Sequence, residues 1–200
     1  MWHSIAIIAC FLLGLLLGRN DVWPSDLDAD SVCTALLYLL LFAIGFTAAS
    51  DERTRSAIRS IDATILAAPV SAVVGSFVGA AAYGLMTSEW SVREAVAVGF
   101  GLGYYSLSSV LIEQRHGSDL AVIALMSNVF REVGTIVLAR PMRVVFGPLA
   151  PVASGGATAS DTTLPSILAA SGREYVFPAV FTGIGLSFLV PILVTLALGT

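Results

Sequence analysis

"AVIALMSNVFREVGTIVLA", residues 121–139, is apolar enough to cross a membrane except at its centre, where Arg131 and Glu132 lie side by side. A charge in the middle of a spanning helix costs about 2.5–3.5 kcal/mol on insertion scales. Thirty residues on, "SGGATASDTTLPS" (154–166) carries a single acid, Asp161, in another uncharged stretch. If Arg131, Glu132 and Asp161 all faced lipid, they would together cost roughly 8–10 kcal/mol, comparable to a whole domain's stability. They must therefore face one another, protein or water, and how they do so decides the fold.

The surroundings leave no doubt about the solvent. Of 200 residues, 56% are hydrophobic and 12% charged, against about 25% charged in a soluble domain. The chain reads as an all-α integral membrane protein forming one transmembrane domain over residues 1–200. All ten basic residues are Arg, and the net charge is -4. No basic stripe is available to neutralise phosphates, so no nucleic-acid partner is expected. Cys10 and Cys33 have no CxxC spacing and read as small buried hydrophobes. His3 and His116 stand at the edges of apolar runs without neighbouring acids or cysteines, so neither a metal nor a cofactor is expected. The N-terminal stretch lacks a basic leader and an A-x-A cleavage site, and reads as a retained first helix.

Uncharged runs cover 4–18, 31–50, 63–86, 95–112 and 175–200. About 20 residues at 1.5 Å each cross the bilayer core, which predicts about five full spans. Two further segments, 119–139 and 144–171, are apolar but interrupted, and are expected to be broken or re-entrant. The loop "RNDVWPSDLDAD" (19–30) has four Asp against one Arg, whereas 50–62 holds Arg53, Arg55 and Arg59. Basic short loops stay cytoplasmic. This orientation puts the N-terminus inside, "EQRHGSD" (113–119) inside and the C-terminus outside.

Glycines at four-residue spacing (Gly14 and Gly18, Gly75 and Gly79, Gly99 and Gly103) predict close helix packing. "GFGLGYYSLSS" (99–109) follows no strand, so it is no nucleotide loop. It reads instead as a loosened helix whose Ser106, Ser108 and Ser109 face a polar cavity, since irregular backbone at membrane depth needs protein or water around it. Arg131 and Glu132 point about 100° apart on a helix. One Arg neutralises one acid, so Arg131 as charge partner leaves a surplus carboxylate for a proton or a cationic solute. Asp161 is the expected N-cap of the helix-like run "DTTLPSILAA", with Pro165 in its first turn. A half-helix starting at mid-membrane would present its positive end to an anion.

Four stretches, "GFGLGYYSLSSVL", "SNVFREVGTI", "GGATASDTTLP" and "FLVPILVTL", together resemble the LysO-type lysine exporters of bacteria and archaea. The resemblance implies a multi-pass protein of the cell membrane that exports L-lysine and toxic lysine analogues in exchange for protons. It also implies an architecture similar to inverted-repeat secondary transporters with discontinuous helices, and Glu132 and Asp161 as the embedded acid pair. Asn128, Thr162 and Thr163 join the three serines as candidate lining groups. Family members are often longer by about three N-terminal helices, so a homo-oligomer or a small membrane subunit is the expected partner. A cation/proton antiporter is the alternative within the same class. An intramembrane enzyme is the third reading; it needs a nucleophile and a base at equal depth, and the distant His3 and His116 argue against it.

Overall fold

A computed structural model of the chain describes residues 63–199, together with Leu13, Gly14, Leu16, Leu17, Val32, Ala35, Leu39, Phe42 and Phe46, all nine helical. The chain divides into two compact units, Met1–Ile44 and Gly45–Thr200, and the described run 63–199 lies wholly in the second. The runs 4–18 and 31–50 and the orientation of the N-terminus lie outside the described residues, apart from the isolated positions just named.

The described residues of this unit are helical wherever they are regular. In order they form α1 (Ala63–Met86), α2 (Val92–Gly99), α3 (Tyr105–His116), α4 (Ser118–Phe146), α5 (Ala150–Gly155), a 3-10 turn (Gly156–Ser160), α6 (Leu164–Ser171), a second 3-10 turn (Arg173–Tyr175) and α7 (Val176–Leu198). Among the described residues, three stretches are long and apolar enough to cross a membrane: Ile65–Met86, Ser118–Phe146 and Arg173–Leu198. Each keeps large apolar side chains on its outer surface, including Val74 and Phe77, Phe130 and Val137, and Ile192 and Leu196. Such faces suit lipid rather than water.

The structure corrects two expectations. The run 95–112 is not one span. Gly99, Gly101 and Gly103 weaken the helix, which breaks between α2 and α3, where Leu102 and Gly103 take positive φ of 47° and 96°. The chain then folds back, so that Nδ1 of His116 at the end of α3 lies 3.5 Å from the Glu94 carboxylate in the first turn of α2. His116 thus does meet an acid, one 22 positions distant in sequence and hence invisible to local spacing. Conversely, 119–139 is not broken. It lies within α4, a continuous helix of 29 residues with Arg131 and Glu132 near its middle.

The segment 144–171 is interrupted, as expected. Once α4 ends, α5, the 3-10 turn and α6 form a second folded-back pair, closed where the Ser171 hydroxyl donates to the Pro148 carbonyl at 2.8 Å. The α2–α3 pair starts and finishes at one end of the unit, the His116 end. There Met86 leads through a short loop to α2, and Arg115 Nη1 donates to the Gly199 carbonyl at 2.8 Å. The α5–α6 pair starts and finishes at the opposite end, with Phe146. "EQRHGSD" and the C-terminal Gly199 therefore share one end, so the expectation that they lie on opposite sides of the membrane fails.

The two connections meet in the interior. The Ala157 amide donates to the Leu102 carbonyl at 2.8 Å. Gly156 takes a φ of 61°, and a Cβ there would run into the Leu102 carbonyl. Only glycine lets two backbones approach this closely in that conformation. Each pair has its own core: Leu102 and Ile112 pack with Leu120, Ala124, Leu186 and Val190, while Val152, Ala159 and Ile167 pack with Ala68 and Ala179.

Candidate functional site

The buried face of α4 repeats at helical spacing through Ala124, Asn128, Thr135 and Ala139, with Arg131 on the same side. This face looks onto both connections. Asn128 is 3% exposed; its Oδ1 accepts the Gly103 amide at 2.7 Å and its Nδ2 donates to the Ala124 carbonyl at 2.8 Å. Its amide thereby satisfies a backbone group that the break in α2–α3 leaves open.

Three residues on, the Arg131 guanidinium reaches oxygen atoms on two other helices. Nε donates to the Ser154 carbonyl at 2.8 Å, Nη2 to the Ala153 carbonyl at 3.1 Å and Nη1 to the Ser76 hydroxyl at 2.6 Å. Ala153 and Ser154 belong to the last turn of α5, whose carbonyls have no partner within the helix and carry the negative end of its dipole. The Thr135 and Ser154 hydroxyls, 2.7 Å apart, brace the same corner.

Two cavities flank this contact. One, of about 440 Å³, lies toward the His116 end between Tyr83, Trp90, Ala95, Leu120 and Ile123. The other, of about 510 Å³, lies toward the Phe146 end between Ala67, Ser71, Phe146, Leu149 and Ala150. Gly75, Ser76 and Arg131 line both.

The expected Arg–acid pair is not what Arg131 makes, because the orphan carbonyls of α5 lie in its reach. Glu132, half-buried on the flank of the α4 face, carries no hydrogen bond or ion pair among the described residues. Asp161 is exposed on the second connection. Its Oδ1 accepts the Thr162 amide at 2.6 Å. Asp161 does not cap α6. That helix starts after Thr163, with Pro165 in its first turn as expected.

The proposed lining residues divide. Asn128 and Arg131 line the first cavity. Ser108 and Ser109 are buried, with hydroxyls donating back to the Tyr105 carbonyl at 3.4 and 2.6 Å, while Ser106 is exposed. Thr163 is fully buried and accepts from Thr158 at 3.4 Å; Thr162 is exposed beside Asp161. Gly75 and Gly79, read as packing glycines, have nothing described within 4 Å of a built Cβ and leave room for the cavity instead, whereas Gly99 packs tightly against Ala80. Ser76, Ser127, Thr135 and Ser154 were missed. Ser76 did leave a signal, as one of few hydroxyls in the run 63–86, where inward-facing polar groups mark helix contacts.

Broken helices meeting around an embedded cation, with cavities on either side, are the construction of membrane proteins that handle polar solutes. The chain belongs to the lysine exporter LysO family, whose model matches residues 8–198. It is 30% identical over 195 residues to the lysine exporter LysO of Escherichia coli strain K12, covering 96% of this chain and 63% of that protein. It is 31% identical over 102 residues to a putative lysine exporter of Haemophilus influenzae, covering 51% of this chain and 52% of that one. The chain thus spans less than two thirds of the length of either relative. No solved structure matches it.

Proposed function

We propose that the chain forms one transporter domain that exports L-lysine and toxic lysine analogues across the cell membrane in exchange for protons. The observation that carries this reading is the use of Arg131 on carbonyl and hydroxyl oxygens, which leaves Glu132 and Asp161 without a guanidinium partner among the described residues. Free lysine brings two ammonium groups and one carboxylate, and two such acids can take ammonium groups or protons in turn. The printed names of the relatives support lysine as the solute. Repeated order supports the transporter architecture: α1 followed by the α2–α3 pair, then α4 followed by the α5–α6 pair, run in opposite senses, as in inverted-repeat carriers.

The same reading takes a homo-oligomer or a small membrane subunit as partner, which a native mass measurement in detergent would detect. The direct test is radiolabelled lysine flux in proteoliposomes. Export should rise with an imposed pH gradient and vanish in Glu132→Gln and Asp161→Asn, with both variants reaching the membrane at wild-type levels. Sodium flux without lysine flux would favour a cation/proton antiporter instead.

A further inference from the structure

We propose that Arg131 is a tethered cation that closes the partition between the two cavities, and that the oxygens it occupies form a cation site on the solute path. The Ala153 and Ser154 carbonyls and the Ser76 hydroxyl converge on one guanidinium at 2.6–3.1 Å. No acid competes for that guanidinium among the described residues, so what holds it is an arrangement of neutral oxygens. Such a cradle accepts N–H donors of any cation of suitable size, and a primary ammonium brings three. Both cavities end on the same three residues, Gly75, Ser76 and Arg131. An ammonium that exchanges with the guanidinium in this cradle therefore stands between two spaces that lie toward opposite ends. Gly75 contributes by leaving space: it has no side chain and no described neighbour within 4 Å of a built Cβ. This inference rests on the reading of the chain as an exporter of an ammonium-bearing solute, but its test does not need lysine.

The experiment uses the full chain in liposomes, with Cys10 and Cys33 replaced by Ser and single cysteines at Ser71 and Ser127, one in each cavity. The probe is a membrane-impermeant cationic thiol reagent. With Arg131 present, each cysteine should react from one face only, and the two from opposite faces. In Arg131→Ala, each should react from both faces. Millimolar guanidinium or methylammonium should restore the one-sided pattern, and tetramethylammonium, which has no N–H donor, should not. One-sided labelling in Arg131→Ala, or no restoration by guanidinium, overturns the proposal. Should Arg131→Ala fail to insert, Ser76→Ala decides. Loss of one charge-assisted hydrogen bond should raise labelling from the wrong face by about tenfold, and an unchanged rate refutes the partition. Restoration by guanidinium together with a wild-type pattern indifferent to lysine upholds the cradle and removes lysine as the solute. Lysine export with no change of labelling in Arg131→Ala keeps the exporter and removes the partition.

Discussion

Asn128 shows how one side chain holds a break in a helix. Its amide is buried and bonded on both sides, so Asn128→Ala leaves the Gly103 amide without a partner in an apolar interior. An orphaned buried donor costs about 1–3 kcal/mol. A lower unfolding midpoint in detergent is expected for this variant, with no change for Ser106→Ala, since Ser106 is exposed. Equal midpoints for the two variants would show that Asn128 does not brace the connection. Gly156→Ala should be worse than either, because an added methyl meets the Leu102 carbonyl backbone, which has no flexible end to move. The measurement is recovery of folded protein by size exclusion, expected to fall well below that of Asn128→Ala.

At the scale of the element, α2 is only eight residues long and depends on its cap. The Ser91 hydroxyl accepts the Glu94 amide, and the Glu94 carboxylate accepts the Ser91 amide at 2.7 Å and its hydroxyl at 2.6 Å. Losing an N-cap serine typically costs about 1 kcal/mol. Ser91→Ala should therefore accelerate hydrogen exchange in the first turn of α2 without affecting α6. The bonds from Ser91, and after them the charge of His116, hold the Glu94 carboxyl below its ordinary value of 4.5. A lowered folded value means that the stabilisation is complete above 4.5 and fades as pH falls through the folded value. The difference in unfolding midpoint between wild type and Glu94→Gln should thus be present at pH 6 and shrink on acidification below pH 4.5. A gap that widens on acidification would contradict the assignment.

For the whole unit, charge at the two ends predicts how it sits in the membrane. Among the described residues, the Phe146 end has Arg140, Arg143 and Arg173 against Glu174, and the His116 end has Arg93 and Arg115 against Glu89, Glu94, Glu113 and Asp119. Positive residues are retained inside, so the Phe146 end should be cytoplasmic and Gly199 outside. A cysteine at Ser88 should react with an impermeant reagent in intact cells, and one at Glu174 only after permeabilisation; the reverse pattern would invert the protein.

The sequence by itself was enough for the solvent, the class and the embedded charges. Apolar run length and the cost of charge in hydrocarbon act locally, so they can be read from composition and spacing. The interruption within 144–171 was legible for the same reason, whereas 99–109 read only as loosened helix within a full span and not as the break it is. Only the tertiary structure decided which interrupted run crosses and which turns back. The run 121–139 keeps its helix because Arg131 finds carbonyls on α5 and a hydroxyl on α1, partners 22 to 55 residues distant in sequence. Local pattern sees a charge and predicts a break or an acid partner. Whether that charge is instead met by the unsatisfied end of another helix depends on how the chain folds back, and no spacing within the run records it.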